Sequence, residues 1–328
     1  MTLMDNKHVD NKHEYDKQVD AQTNATAPIK LKSEEGEFSH DILFIKEENG
    51  LDFIEIDNHF ATAKLALQGG HLMSWQPKHT TEPVLWMSDK SRFEVARSIR
   101  GGIPICWPWF GAHPTDSSLC MHGFARVTPF TLIDVGLMKN GYTRVILQMQ
   151  QTENAQRQLS YPYTVMMTIE IGKTLSMKLS TTNRARQPFF MGEAFHTYFN
   201  IGDIEKTSIT GLEDTEYADK LLDYWRDTQE GPVHFNQEFD RVYVSTLKPV
   251  TIHDTMLNRT ITINKTGSGS TVVWTPWKKK AHEIADMPKD DSWRKMVCVE
   301  TANAMENLVM INPGYTHVLS VEYVVTEL

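Results

Sequence analysis

Two short runs, about a hundred residues apart, each carry a titratable side chain among apolar neighbours. Gly192-Glu193-Ala194-Phe195-His196-Thr197-Tyr198-Phe199 holds His196, and Val297-Cys298-Val299-Glu300-Thr301-Ala302-Asn303-Ala304 holds Glu300. A His that gives a proton and a Glu that takes one are the minimum kit for acid–base catalysis. A Glu at a strand end, partly buried, would have a raised pKa and could act as a base near neutral pH. Each residue also has a plainer reading. A lone His among apolar residues is usually a hydrogen-bonded core residue, and a Glu ending a strand is usually exposed.

Cations come from two further segments. Ile99-Arg100-Gly101-Gly102-Ile103-Pro104 sets Arg100 beside backbone that can approach a ligand closely, and His122-Gly123-Phe124-Ala125-Arg126 groups His122 with Arg126. Two guanidinium groups can grip a phosphate bidentately, as one Lys cannot. Between them, Trp107, Trp109 and Phe110 offer aromatic faces on which a sugar could stack, or else plug one end of the fold. Asp240 opens the run Asp240-Arg241-Val242-Tyr243 and either meets sugar hydroxyls or caps a turn.

The elements that must hold these residues are strands. Tyr163, Val165, Met167, Ile169 and Ile171 alternate with mostly polar residues, as do Leu175, Met177 and Leu179. Similar runs fall at 42–46, 51–56, 60–67, 144–149, 242–246, 260–263, 271–275 and 318–326. This period of two marks half-buried antiparallel strands. Lys139-Asn140-Gly141, Gly172-Lys173, Glu48-Asn49-Gly50 and Gly267-Ser268-Gly269 read as hairpin turns. Short helices are expected only at 151–159 and 218–226. No βαβ rhythm or fixed repeat is present, so the expected fold is all-β and mainly antiparallel, a large sandwich over 36–328. Residues 1–35 are polar and read as a disordered or loosely packed tail.

The chain has 328 residues and a formal charge of −9, which argues against nucleic acid as partner. Its three cysteines form no C-x-x-C, and its histidines show no H-x-H or H-E-x-x-H spacing, so neither a disulfide framework nor a metal site is expected. No apolar stretch approaches membrane-spanning length, and the N-terminus lacks the apolar core of a signal peptide. A cytoplasmic monomer with no membrane partner is expected.

Taken in order, Gly69-Gly70-His71-Leu72, Val84 to Ser88, Ile99 to Gly111, His122 to Arg126, Gly192 to Phe199, Asp240 to Tyr243, Val299 to Asn303 and Pro313-Gly314 resemble the hexose-6-phosphate mutarotase branch of the aldose 1-epimerase (galactose mutarotase-like) superfamily. The resemblance implies a β-supersandwich with the sugar on a concave sheet face, and no cofactor. It implies His196 as general acid, Glu300 as general base, Arg100 and Arg126 on the substrate's phosphate, and Asp240 on a sugar hydroxyl. Met121 stands where relatives often carry Gln as a substrate contact, and with His122, Trp109 and Phe110 from the segments above it completes the expected substrate-binding set. The implied activity is interconversion of the α and β anomers of a hexose 6-phosphate, glucose 6-phosphate first. The alternatives are a free-aldose 1-epimerase and a non-catalytic sugar-phosphate binding protein, which would not need His196 and Glu300 together.

Overall fold

The computed structural model describes the strands Ile29–Lys32 and Ser39–Lys46 by their backbone and residues 50–328 with their side chains. The tail expected over 1–35 lies, apart from Ile29–Lys32, outside the described residues. So do residues 48 and 49 of the first expected turn.

The alternating runs all form strands, and every pairing between named strands is antiparallel. Strand Tyr163–Ile171 buries the expected face, Tyr163, Val165, Met167, Ile169 and Ile171. Strand Leu175–Asn183 does the same with Leu175, Met177 and Leu179. Both belong to a nine-stranded sheet, whose middle position is taken by the distant strand Thr316–Glu327. An eight-stranded sheet includes Ile105–Cys106, Glu193–Phe195, Met296–Asn303, Ser270–Thr275 and Phe239–Val244. Tyr198–Asn200 pairs with Met296–Asn303 beside that path. A five-stranded meander over Ile29–Pro77 and a two-stranded ribbon complete the fold.

One apolar core joins the large sheets, with Val165, Ile169 and Val321 from one and Phe195, Val297 and Val299 from the other. Burial of this kind is worth about 25 cal/mol per Å² of apolar surface. Polar groups crossing the layer are paired: Thr197 Oγ1 lies 2.6 Å from the Tyr323 hydroxyl, and the Trp107 indole N–H donates to Thr181 Oγ1 at 3.1 Å. No helix among the described residues is long and apolar enough to cross a membrane.

The helix expected at 151–159 is present as Glu153–Gln158, capped by the Thr152 side chain. The one expected at 218–226 is replaced by strand Glu216–Asp219, a 3-10 turn at Lys220–Leu222 and strand Trp225–Thr228. Asp223 and Tyr224 both take positive φ, which breaks a helix and turns the chain back on itself. A short helix, Trp277–Glu283, was not foreseen.

Candidate active site

The site lies on the face of the eight-stranded sheet opposite Val297 and Val299. Strand alternation puts Cys298, Glu300 and Ala302 on this face. Register then lines up three rows: Asp240, Trp274, Cys298 and Tyr198; Val242, Val272 and Glu300; and Val244, Ser270, Ala302, Ala194 and Cys106. Glu300 therefore sits mid-strand with valines beside it, not at a strand end. Only 2% of it is exposed.

His196 lies between the short strands Glu193–Phe195 and Tyr198–Asn200, where its backbone N–H donates to Pro104 O. Its ring stacks nearly parallel on Tyr198, with centroids 4.9 Å apart. Trp274 and His122 meet it edge-on at 6.2 and 5.6 Å. Three rings thus fix the imidazole plane, and Nε2 stands 3.4 Å from Glu300 Oε1. His196 Nδ1 and Glu300 Oε2 are buried with no hydrogen-bond partner among the described residues. Buried polar atoms are normally satisfied, so such a pair marks a place built for a polar ligand.

Burial dominates the protonation of both groups. It holds the His196 pKa well below 6.5, helped by the nearby charges of Arg126 and Arg100. It pushes Glu300 well above the ordinary carboxylate value, against the opposing pull of Lys220 and Arg126. The coupled pair therefore holds one proton over a broad range, and in the empty site burial favours it on Glu300.

Arg100 and Arg126 line one cavity of about 360 Å³, together with Pro104, Tyr198 and Asp286. The cavity adjoins the His–Glu pair through Tyr198. Arg100 is already engaged: Nε and Nη2 reach Asp286 Oδ1 at 3.1 and 3.0 Å, and Nη1 donates to the Tyr198 hydroxyl at 2.9 Å. Arg126 differs. Its Nη2 donates to Cys106 Sγ at 3.0 Å, and its Nε has no partner among the described residues. Burial pushes the Cys106 thiol up to about 12, so the sulfur is neutral and leaves the guanidinium charge uncompensated.

Asp240 pairs with Lys220, Oδ2 to Nζ at 2.9 Å, while its buried Oδ1 has no hydrogen-bond partner among the described residues. Gly111 N–H donates to His122 Nδ1 at 3.3 Å, which leaves the ring proton on Nε2. Phe110 is half-buried with its ring 4.9 Å from His122. Trp109 is 7% exposed and donates its indole N–H to Cys120 O, so it packs the loop. Met121 is 57% exposed. Tyr198, Trp274, Asp286 and Lys220 join the site from the structure. Of these only Tyr198 had a signal in the sequence, two residues after His196 on the same face.

Gly123 lets His122 and Arg126 converge. It has φ +75°, and a Cβ there would stand 2.0 Å from Trp107 O. Gly123→Ala is expected to destabilise the protein by more than about 1 kcal/mol, seen as a lowered Tm in thermal unfolding.

Among the described residues no three His, Cys, Asp or Glu side chains are grouped to hold a metal ion. The arrangement is suited to moving a proton on and off a ligand that reaches the His–Glu pair, with cationic side chains close by.

Residues 52–324 match the model of the aldose 1-epimerase family. An Escherichia coli K12 protein named "putative glucose-6-phosphate 1-epimerase" is 36% identical over 266 residues, covering 81% of this chain and 87% of that relative. The crystal structure of a "putative mutarotase" from Salmonella typhimurium superposes with a TM-score of 0.80 at 30% identity, over 92% of this chain and 97% of that one. A galactose mutarotase-like protein from Clostridium acetobutylicum, at 12% identity and TM-score 0.65 over 88% of this chain and 98% of that one, shares the fold.

Proposed function

The chain belongs to the aldose 1-epimerase family, whose members interconvert sugar anomers, and we propose that its substrate is a hexose 6-phosphate, glucose 6-phosphate before others. The observation that carries the substrate is Arg126, a half-buried cation with no carboxylate partner among the described residues, lining with Arg100 a cavity beside the catalytic pair. Such a charge is costly unless something anionic meets it. The name of the Escherichia coli relative supports the same reading.

In this mechanism the pair's proton, which burial rests on Glu300 in the empty site, passes to His196 across the 3.4 Å contact when the sugar binds. Glu300 then takes the proton of the anomeric hydroxyl while His196 protonates the ring oxygen. The C1–O5 bond breaks and C1 becomes a carbonyl. Rotation about C1–C2 presents its other face, and the reverse transfers close the opposite anomer. One proton enters the pair as another leaves, so its total is unchanged. Asp240 holds a ring hydroxyl, and Lys220 fixes Asp240 in place.

Nuclear magnetic resonance exchange between the anomers tests the substrate. Glucose 6-phosphate should equilibrate far above its uncatalysed rate, and free glucose far less. Acceleration of glucose alone, or of neither sugar, overturns the proposal.

The protonation states set the pH profile. A second proton enters the His–Glu pair only where His196 titrates, and burial moves that downward. The acid limb of kcat/KM is therefore expected below pH 6.5, the ordinary imidazole value. A limb at or above that value would contradict the buried pair as the acid–base machinery.

A further inference from the structure

We propose that Arg92, with Arg97 beside it, is the second phosphate anchor, a specificity-determining arm at the mouth of the arginine cavity. The inference rests on the hexose-phosphate reading above. Charge bookkeeping leads to it. A sugar phosphate brings close to two negative charges at neutral pH. Four arginines line the cavity: Arg92, Arg97, Arg100 and Arg126. Arg100 is neutralised by Asp286 through two contacts near 3 Å. Arg126 has no carboxylate and supplies one charge. Arg97 makes only a loose exposed contact with Glu94, at 3.8 Å. Arg92 forms no ion pair among the described residues, and it supplies the second charge.

The segment carrying these arms is anchored rather than loose. The Gln68 side chain, 5% exposed, donates to the carbonyls of Glu94 and Arg97 at 3.2 and 2.9 Å and accepts from the Ala96 N–H at 2.7 Å. Ser91 Oγ accepts from the Arg100 N–H at 2.7 Å, which ties the outer arm to the inner one. Ser88 Oγ donates to the backbone of Asp286, across the cavity. A preorganised loop loses little freedom when its guanidinium groups close on an anion.

The test compares wild type, Arg92→Ala, Arg92→Lys and the double variant Arg92→Ala/Arg97→Ala, by anomer exchange of glucose 6-phosphate at several salt concentrations. Arg92→Ala should raise KM about tenfold while kcat stays within about twofold, the pattern of lost uniform binding. The double variant should lose more, Arg92→Lys should recover part, and the salt dependence of KM should flatten. Arg92 is exposed, so these variants are expected to fold; unchanged Tm values check that. An unchanged KM in Arg92→Ala, with a raised KM in Arg126→Ala, overturns this inference and leaves the substrate reading standing. A wild-type enzyme with no preference for glucose 6-phosphate over glucose overturns both.

Discussion

Glu300→Gln is expected to slow anomer exchange by about 10²–10⁴-fold, the typical worth of one positioned acid–base group. Gln keeps the shape and the place beside His196 Nε2, 3.4 Å away in the parent, but it takes no proton. The variant should therefore bind glucose 6-phosphate within about twofold of the parent, since its phosphate is met elsewhere. Its stability is informative as well. Glu300 is buried beside Val272 in a place that disfavours its charged form, so a neutral amide of the same shape suits the site as well as the carboxyl does. The Tm should hold. Calorimetric binding, exchange rates and thermal unfolding of one preparation give all three readings. Parent-like turnover would remove Glu300 from the mechanism.

Arg126→Ala is expected to raise KM for glucose 6-phosphate by roughly 30-fold or more, as truncating one member of a buried charge pair does. The activity on free glucose, however small, should stay near the parent value. The fold should tolerate the change, because among the described residues the Arg126 side chain donates only to a neutral thiol, a weak acceptor. Steady-state exchange kinetics on the two sugars check the split. Equal losses on both would place Arg126 in the architecture of the site instead of its phosphate subsite.

The strands were legible because alternation reports burial directly: the face read from Tyr163 to Ile171 is the face that packs. Residues 218–226 misled because their apolar positions also suit a helix, and nothing local announces the positive φ of Asp223 and Tyr224. His196 and Glu300 stood out as polar interruptions of apolar runs. Their 3.4 Å approach was not legible, since it depends on how strands far apart in the chain register. Lys220 and Asp286 carried no signal, because their roles come from partners on other segments, Asp240 and Arg100. Trp109 has a sequence that suits a sugar platform, yet its indole hydrogen bond and burial turn it into the loop.

The strand Thr316–Glu327 has a consequence for how the protein comes into being. It sits between Leu175–Asn183 and Arg259–Thr266, pairing Tyr323 with both Leu175 and Ile263. During synthesis its neighbours emerge long before it and must wait with open edges. Long-range pairing of this kind folds slowly and leaves unpaired edges exposed to wrong partners. The Tyr323 hydroxyl also reaches Thr197, the residue after His196. The catalytic histidine's loop is therefore locked from behind only when that strand arrives, so a ribosome-bound chain halted before it should hold most of its sheet residues and no working site.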